Sequence, residues 1–302
     1  MTAPRQVLPG RSYLITRRCT QRQFWLLPSE LTNQIVTYCL AIGAARAEIK
    51  LHAICVLSNH YHAVITDPKG RLPQFLHWVN EYIAKCVNAS YGRWENLWAS
   101  EPPNVVWLVD DAAVLDKLVY CLANPVSSGL VPHGSQWPGL RTSPRDVGGT
   151  GYEVLRPPIF FRENGPMPVS ATLAIERPAI CPHLSDAELA DHVQELVARR
   201  EAEIRDEFVC SGRRFLGVKA VLRQQPSDSP NTIERRRSLS PRVVAKSKRS
   251  RVEALLRLKS FWMGHREALL LWRAGDRDVE FPAGTYAMRV FHGAACASGS
   301  SP

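Results

Sequence analysis

Apolar residues in the first third of the chain follow two alternating periods, one typical of strands and one typical of helices. Strand-like stretches are "SYLITRRC" at 12–19, "IKLHAICVLS" at 49–58, "HYHAVITD" at 60–67 and "NVVWLVD" at 104–110. The second and third stretches follow each other so closely that only a tight turn can join them. The pattern therefore predicts a hairpin and two further strands.

Three segments between and after these strands have apolar residues at intervals of three and four, which predicts amphipathic helices. Ser29 is a candidate N-cap for the first helix, the second runs from Leu72 to Val87, and Asp110 or Asp111 can cap the third. The resulting order is strand, helix, strand, strand, helix, strand, helix. That order is typical of a small α+β domain in which helices pack on an antiparallel sheet of ferredoxin-like kind.

The composition changes near the middle of the chain. Residues 138–157 are rich in proline and glycine and show no periodicity, so we expect a linker between a domain at 1–137 and a C-terminal region at 158–302. Within that region, Ser185 and Glu188 have the spacing of a capping box at the start of a long polar helix. We expect a mainly helical, basic accessory region.

Two segments near the C-terminus carry more specific expectations. The segment from Arg251 to Trp272 is predicted to be a helix that directs four apolar residues toward a core. The segment from Phe281 to Gly293 is predicted to be rich in strand. The four apolar residues are Val252, Leu255, Leu256 and Trp262.

The chain carries a formal net charge of +10, and this surplus of lysine and arginine favours a polyanionic partner, most often one with phosphate groups. A basic surface that merely keeps the protein soluble is the alternative. The densest positive block, at 234–259, would supply sequence-independent phosphate contacts, unless it is only a solvated face or a flexible arm. Its candidate DNA-binding residues are Arg235, Arg236, Arg237, Lys246, Lys248, Arg249 and Arg251.

A second candidate DNA contact follows the second predicted helix. Arg93 and Trp94 lie in sequence beside Tyr91 and Trp98, and bases can stack on such rings. Packing of the two tryptophans in the core is the alternative.

Other features limit the class of protein. No run of about 18 apolar residues is present to span a bilayer, and the N-terminus has no apolar signal region. The 8 cysteines are scattered without a CxxC pair, and most fall on apolar segments, so we expect reduced core residues. A cytoplasmic protein without a membrane partner is the expectation.

Two histidines flank a tyrosine within the predicted hairpin. Because side chains alternate along a strand, His60 and His62 are expected on one face and Tyr61 on the other. The spacing builds half of a divalent metal site, since imidazole is a common metal ligand but two imidazoles do not complete a site. Two ordinary, half-exposed histidines are the alternative.

The third predicted helix offers the remaining groups. Tyr120 and Asn124 lie one turn apart, away from an apolar stripe that includes Leu118 and Leu122, and Pro125 is expected to end the helix after Asn124. The amide oxygen at such a terminus can face a metal. A partly exposed tyrosine beside a helix-ending Asn-Pro is the alternative.

"LSNHYHAVI", followed some sixty residues later by "YCLANPVSSGLV", resembles the paired signatures of the single-tyrosine HUH transposases, which include the REP-associated tyrosine transposases of bacteria. The resemblance covers roughly Ser12 to Trp137. It implies that His60, His62 and Asn124 hold one metal ion, Mg²⁺ or Mn²⁺, and that Tyr120 is the nucleophile. The implied substrate is single-stranded DNA that contains a hairpin.

The activity implied by this resemblance is a transposase-like nicking and rejoining of single-stranded DNA through a 5′-phosphotyrosine link. Two other functions stay open, a DNA-binding regulator that has lost catalysis and a metal-dependent phosphodiesterase that uses water. Asn124, in place of a longer or charged ligand, implies a loosely held metal. Because similar proteins include both monomers and dimers, the oligomeric state also stays open.

Overall fold

A computed structural model describes residues 4–232 and 241–299. The candidates Arg235, Arg236 and Arg237 lie outside these residues. In the N-terminal part, β1 spans Arg11–Arg18, α1 Glu30–Ala47, β2 Lys50–Leu57, β3 His60–Asp67, α2 Leu72–Ser90, β4 Asn104–Leu108, α3 Asp111–Leu122 and α4 Asn124–Ser127. Further along the chain, β5 spans Tyr152–Leu155, β6 Ser170–Leu173, α5 Asp186–Cys210, α6 Val218–Arg223, β7 Val243–Val244, α7 Lys248–Arg273 and α8 Tyr286–His292.

Five strands form the main sheet, in the order β2, β3, β1, β4 and β7. The first four are antiparallel to their neighbours, so α1 and α2 each connect two parallel strands across an intervening antiparallel one. This is the split βαβ arrangement of ferredoxin-like folds. The predicted α+β class and the predicted order of elements are confirmed. The fifth strand, β7, pairs with β4 in parallel and was not predicted.

Helices cover both faces of this sheet. One face, with Tyr61, Ala63 and Ile65 of β3, packs against α1 and α2. The other face, with Val64 of the same strand, packs against α3, and α5 packs behind α3. The alternation of β3 thus directs His60 and His62 toward α3 and Tyr61 toward the other layer.

The C-terminal residues contribute to the same core as the N-terminal ones. Val243 of β7 and two residues of α7, Ala254 and Leu258, are buried in the cluster that α1 and α2 form with the sheet. The Trp262 indole donates a hydrogen bond to the Pro4 carbonyl oxygen at 3.0 Å. The helix α7 therefore lies against the sheet near the edge formed by β4 and β7.

The buried face of α7 differs from the predicted one. Three of the residues expected in the core are exposed, and only Trp262 is partly buried. The helix instead packs on the sheet through Ala254 and Leu258, while Ala268 packs in a separate cluster with Phe281. The exposed residues are Val252, Leu255 and Leu256, and the buried ones are Ala254, Leu258, Phe261 and Ala268.

Two other segments differ from expectation. The segment from Phe281 to Gly293, predicted to be rich in strand, contains the helix α8, which ends at Gly293 in the left-handed region with φ of 64°. Two residues of the segment make isolated β-bridges, Phe281 to Cys296 and Thr285 to Gln6. Glycine adopts such a φ without steric cost and is the residue that most often ends helices in this way.

Part of the predicted linker lies along β2. The Thr142 hydroxyl accepts a hydrogen bond from the Ile54 N–H at 3.0 Å, and the Thr142 N–H donates to the Ile54 carbonyl at 2.9 Å. The Leu140 N–H donates to the Asn33 side chain. The start of 138–157 is thus packed on the sheet edge, while the division of the chain at 137 and 157 stays a prediction.

All eight cysteines are free, and five of them are buried, as expected for reduced core residues. Within residues 4–232 and 241–299, no helix has the length and apolar character that crossing a bilayer requires.

Asp110 joins the two parts of the chain. Its carboxylate accepts hydrogen bonds from the Ala113 N–H at 2.8 Å, as N-cap of α3, and from the Lys246 and Ser247 N–H groups just before α7. Asp110→Ala should lower the free energy of unfolding by about 1–3 kcal/mol in chemical denaturation. Asp111→Ala, an exposed neighbour in the first helical turn, should have a much smaller effect. Equal effects of the two variants would contradict this role.

Candidate active site

The two histidines of β3 face each other on the α3 side of the sheet. Strand pairing places Arg18 opposite His60 and Thr16 opposite His62. The Nε2 atoms of the two imidazoles are 3.1 Å apart, and the rings meet edge to face with centroids 4.8 Å apart. Because both Nε2 atoms converge on one point beside α3, they can bind the same small ligand.

Hydrogen bonds at the other ring nitrogens orient both imidazoles. The Asn59 amide nitrogen donates to the Arg22 carbonyl, so its oxygen faces His60 Nδ1, 2.6 Å away. The His60 Nδ1–H must then be the donor, which leaves a lone pair on Nε2. His62 Nδ1 is 2.8 Å from the Thr16 hydroxyl, which can accept its proton in the same way. Such partners fix the tautomer that binds metals.

The electrostatic environment keeps both imidazoles neutral. Burial, with contributions from the nearby Arg18 and Arg22, lowers the pKa of His60 to about 4. Burial also lowers the pKa of His62, with a contribution from His60. Neutral imidazole is the form that coordinates a metal ion, so the pair is ready to bind at ordinary pH.

Tyr120 lies beside the histidine pair. Its ring centroid is 5.2 Å from that of His62, and 40% of the residue is exposed to solvent. The next residue holds α3 against β3, since the Cys121 thiol donates to the His62 carbonyl at 3.5 Å. Tyr120 is therefore accessible from solvent and adjacent to the imidazoles, the two properties that a nucleophile near a metal requires.

Asn124 lies close to Tyr120 but in a different helical segment from the one predicted. The helix α3 ends at Leu122, and Asn124 begins the short helix α4. Its side chain is buried and accepts a hydrogen bond from the Ser128 hydroxyl at 3.2 Å. Burial raises the pKa of the Tyr120 phenol, Cys121 raises it further, and interaction with the Asn124 side chain opposes part of that rise.

Tyr61 is separated from this site by the sheet, as alternation predicts. The residue is buried, and its hydroxyl donates to the Asn80 side chain at 2.9 Å. Its ring packs edge to face on Trp98. Of the tyrosines in the two sequence motifs, Tyr61 points away from the histidine side chains and Tyr120 packs beside them.

The donor set fits a divalent ion that is held weakly. Two nitrogens that each lie about 2.1 Å from a metal, with an angle of about 90° at the metal, are about 3.0 Å apart. The observed separation of the two Nε2 atoms is close to this distance. Among the residues that the structure describes, no group of three His, Cys, Asp or Glu side chains can hold a metal. If a third ligand comes from these residues it would be neutral, and the Asn124 amide oxygen has a lone pair beyond the one that Ser128 uses.

A lysine lies beside the tyrosine ring. The Lys117 ammonium is 5.3 Å from the centre of the Tyr120 ring. Asp116 binds Lys117 at 2.8 Å and Lys246, just before α7, at 2.5 Å. Of the predicted DNA-binding residues, Lys246 is thus brought next to the helix that carries Tyr120. Lys117 was missed by sequence reasoning, although its position three residues before Tyr120 places it on the same helix face.

The other predicted DNA contacts are dispersed. Trp94 is 90% exposed, whereas Arg93 stacks on Trp25 at 3.5 Å, and Trp98 is buried in the core. At the start of α7 the candidates are exposed, and Arg249 is paired with Glu253. The exposed candidates of α7 are Lys248, Arg249 and Arg251.

Comparisons with known proteins give remote similarities. No protein-family model matches the chain, and a search of curated proteins gives no match. Among solved structures, the chain is similar to a REP-associated tyrosine transposase bound to a REP hairpin, with 18% identity, 48% of this chain and 84% of that chain covered, and a TM-score of 0.41. A candidate transposase from Deinococcus radiodurans R1 gives 17% identity, 35% and 85% coverage, and a TM-score of 0.28. At these values neither similarity assigns a function to this chain.

The low pKa of the histidines predicts the pH range of metal binding. Since the pKa of His60 is lowered to about 4, protons compete with the metal only in strongly acidic solution. The affinity for Mn²⁺, measured by water proton relaxation, should change little between about pH 7 and about pH 5 and fall below that range. A tenfold loss centred near pH 6.5, the value for an exposed histidine, would contradict the burial of the pair.

The hydroxyl that orients His62 should matter for the metal. Thr16→Val keeps the shape of the side chain but removes the partner of His62 Nδ1, so Mn²⁺ affinity should fall about 10- to 100-fold. The matched control is Thr66→Val on β3, whose hydroxyl bonds to His52 and Ser12 instead. Similar Mn²⁺ affinities for the two variants would show that Thr16 has no positioning role.

Proposed function

We propose that this protein is a transposase-like enzyme that nicks and rejoins hairpin-containing single-stranded DNA, with Tyr120 as the nucleophile. The observation that carries the proposal is the position of Tyr120, whose ring is 5.2 Å from that of His62 on the sheet face where the two imidazoles converge. A solvent-accessible phenol beside two neutral imidazoles and a lysine matches what attack on a phosphodiester requires.

The proposed reaction balances as a transesterification. The Tyr120 hydroxyl oxygen attacks phosphorus, a bond from that oxygen to phosphorus forms, and the bond from phosphorus to the 3′ oxygen breaks. The 3′ oxygen leaves with a proton as a free hydroxyl, and the DNA stays attached through a 5′-phosphotyrosine. A 3′ hydroxyl that attacks the same phosphorus restores a phosphodiester and the free phenol, so the energy of the bond is conserved for rejoining.

His60, His62 and Asn124 are the proposed holders of Mg²⁺ or Mn²⁺. When bound, such an ion would polarise a non-bridging phosphate oxygen and neutralise its charge. The neutral ligand set predicts that the ion exchanges readily.

The residues of the chain supply the rest of the proposed chemistry. Because burial raises its pKa, the Tyr120 phenol is protonated at neutral pH and must lose its proton during attack. The Lys117 ammonium, 5.3 Å from the centre of the Tyr120 ring, would attract the phosphate of the substrate. Lys246, held by Asp116, places a second positive charge near the same helix.

DNA binding in this proposal extends beyond the reacting phosphate. The exposed residues Lys248, Arg249 and Arg251 follow Lys246 at the start of α7 and would contact the sugar–phosphate backbone. Trp94, which is 90% exposed, would offer a ring for base stacking. Arg93, already stacked on Trp25, would contribute charge.

Two other functions make different use of the same site. A phosphodiesterase that uses water needs the metal ligands but not Tyr120. A DNA-binding regulator needs no chemical reaction at either the ligands or the tyrosine. The contact of Tyr120 with His62, its exposure and its interaction with Asn124 favour the tyrosine mechanism over both.

The proposal predicts a covalent protein–DNA adduct. Incubation with a library of hairpin-containing single-stranded DNA and Mn²⁺ should give a species that survives a denaturing gel. Tyr120→Phe should abolish the adduct, and His60→Ala and His62→Ala should reduce it by at least about 100-fold. The amount of adduct is measured on the gel. Chelation of the metal should reduce it as much as the histidine substitutions do.

Matched controls separate the alternatives. Tyr286→Phe changes a partly exposed tyrosine of α8, and His77→Ala changes an exposed histidine of α2, so both should leave the adduct intact. Cleavage without an adduct in Tyr120→Phe would indicate a phosphodiesterase. Binding without cleavage by the unaltered protein under any metal condition would indicate a regulator.

A further inference from the structure

A cluster of arginines lies on the opposite face of the sheet from Tyr120. Where α7 packs over β1 and β4, three arginines surround a cavity of about 30 Å³. Two apolar residues, Leu258 and Val105, form part of its wall, and Trp262 contributes its indole. The arginines are Arg5, Arg11 and Arg242.

Arg11 is the most enclosed of these cations. It is 4% exposed, and its guanidinium lies 3.8 Å above the Trp107 ring. One nitrogen, Nη2, donates to the Gln6 side chain at 2.9 Å, while Nε has no hydrogen-bond partner. Because an arginine stays protonated in proteins, this is a buried positive charge with an unused donor.

Two other donors at the cavity are also unused. Arg5 donates from Nη2 to the Pro103 carbonyl, but its Nε is buried without a partner. Tyr13 is 2% exposed, and its hydroxyl oxygen interacts with the Arg11 guanidinium, but no acceptor takes its proton. Burial raises the pKa of Tyr13 to about 12, so this hydroxyl keeps its proton and can donate. The Nε–H groups of Arg5 and Arg11 and the Tyr13 hydroxyl proton therefore lie at this cavity without an acceptor.

One buried acid, Asp67, is near enough to Tyr13 to raise its pKa but forms no ion pair with the arginines of the cavity. Among the residues that the structure describes, neither Arg5 nor Arg11 is ion-paired with a carboxylate. The acid closest in the strand register is Asp67, opposite Arg11, and its two oxygens accept the Arg71 and Leu72 N–H groups at the start of α2. Buried, unpaired cations and unmet donors cost free energy, which a bound anion would recover.

We propose that this cavity is a phosphate-binding site, in which one anionic oxygen of a phosphate group accepts hydrogen bonds from Arg5, Arg11 and Tyr13. The volume is enough for about one water-sized atom, so the rest of the group must lie outside. A groove of about 460 Å³ adjoins the cavity, shares Gln6 and Arg11 with it, and is lined by Arg257 and Ser260 of α7. Arginine forks match the oxygens of a phosphate in geometry and charge.

The site is independent of the proposed tyrosine chemistry, since the sheet separates the two. The phosphate can belong to a nucleic acid that crosses α7 or to a small phosphorylated molecule. Both sources share the chemistry of a phosphate oxygen among arginines. The experiment below distinguishes them and does not depend on cleavage.

The first measurement is a calorimetric titration of the full-length protein with inorganic phosphate at constant ionic strength. We expect a single site with a dissociation constant of about 1 mM or tighter. Arg11→Gln should weaken phosphate binding at least about tenfold, because it removes a charge-assisted hydrogen bond. Tyr13→Phe, which removes one hydroxyl and should leave the fold intact, should weaken it several-fold.

Two control variants match these changes elsewhere. Arg266→Gln removes one charge from an exposed position of α7, and Tyr38→Phe removes the hydroxyl of another buried tyrosine. Both should keep the affinity for phosphate. Phosphate affinity that is absent in the unaltered protein, or that is unchanged in both Arg11→Gln and Tyr13→Phe, would overturn the proposal. Chloride that binds as tightly as phosphate would overturn the oxyanion assignment.

A competition experiment identifies the source of the phosphate. Single-stranded DNA that displaces phosphate from the unaltered protein, with Arg257→Gln weakening this displacement, would support a polynucleotide passing along the groove. Phosphate binding that DNA does not displace would support a small phosphorylated ligand. Both results keep the phosphate site, and neither depends on whether Tyr120 is a nucleophile.

Discussion

The pairing of β1 with β3 determines where the chemistry of this protein can occur. Their antiparallel register joins Arg11 to Asp67 at one end and Arg18 to His60 at the other. Since side chains alternate along a strand, this register fixes both imidazoles on one face and places Thr16 opposite His62. A shift by one residue would turn the histidines into the α1 and α2 layer and expose Tyr61 to the α3 layer.

The same sheet separates two positively charged regions of different kind. On the α3 face, Lys117 and Lys246 share the carboxylate of Asp116, so their charge is partly balanced and close to solvent. On the other face, the arginines under α7 are enclosed and have no such partner among the described residues. The α7 segment adjoins both regions. Its first residues are bound by Asp110 on the α3 side, and Leu258 lines the arginine cavity on the other side.

Much of the fold could be predicted from local signals, and the errors arose where tertiary packing decides. Ser29 and Asp110 act as N-caps as expected, and the turn after β2 aligns the hairpin. The face of α7 was predicted wrongly from its large apolar residues, since the helix packs on the sheet through Ala254 and Leu258. Asn124 begins a new helix, because α3 ends at Leu122, two residues before the end expected from Pro125. Lys117 contacts Tyr120 within α3, at a spacing of three residues that the sequence already showed.

The central claim is that Tyr120 forms the covalent link with DNA, and peptide mapping tests it most directly. Trypsin cleavage after Lys117 and Arg141 releases a peptide that contains a single tyrosine, Tyr120. Mass spectrometry of the adduct, after nuclease digestion, should find a nucleotide joined through phosphate to that tyrosine. A nucleotide attached to any other residue, or an adduct that carries no phosphotyrosine bond, would contradict the account.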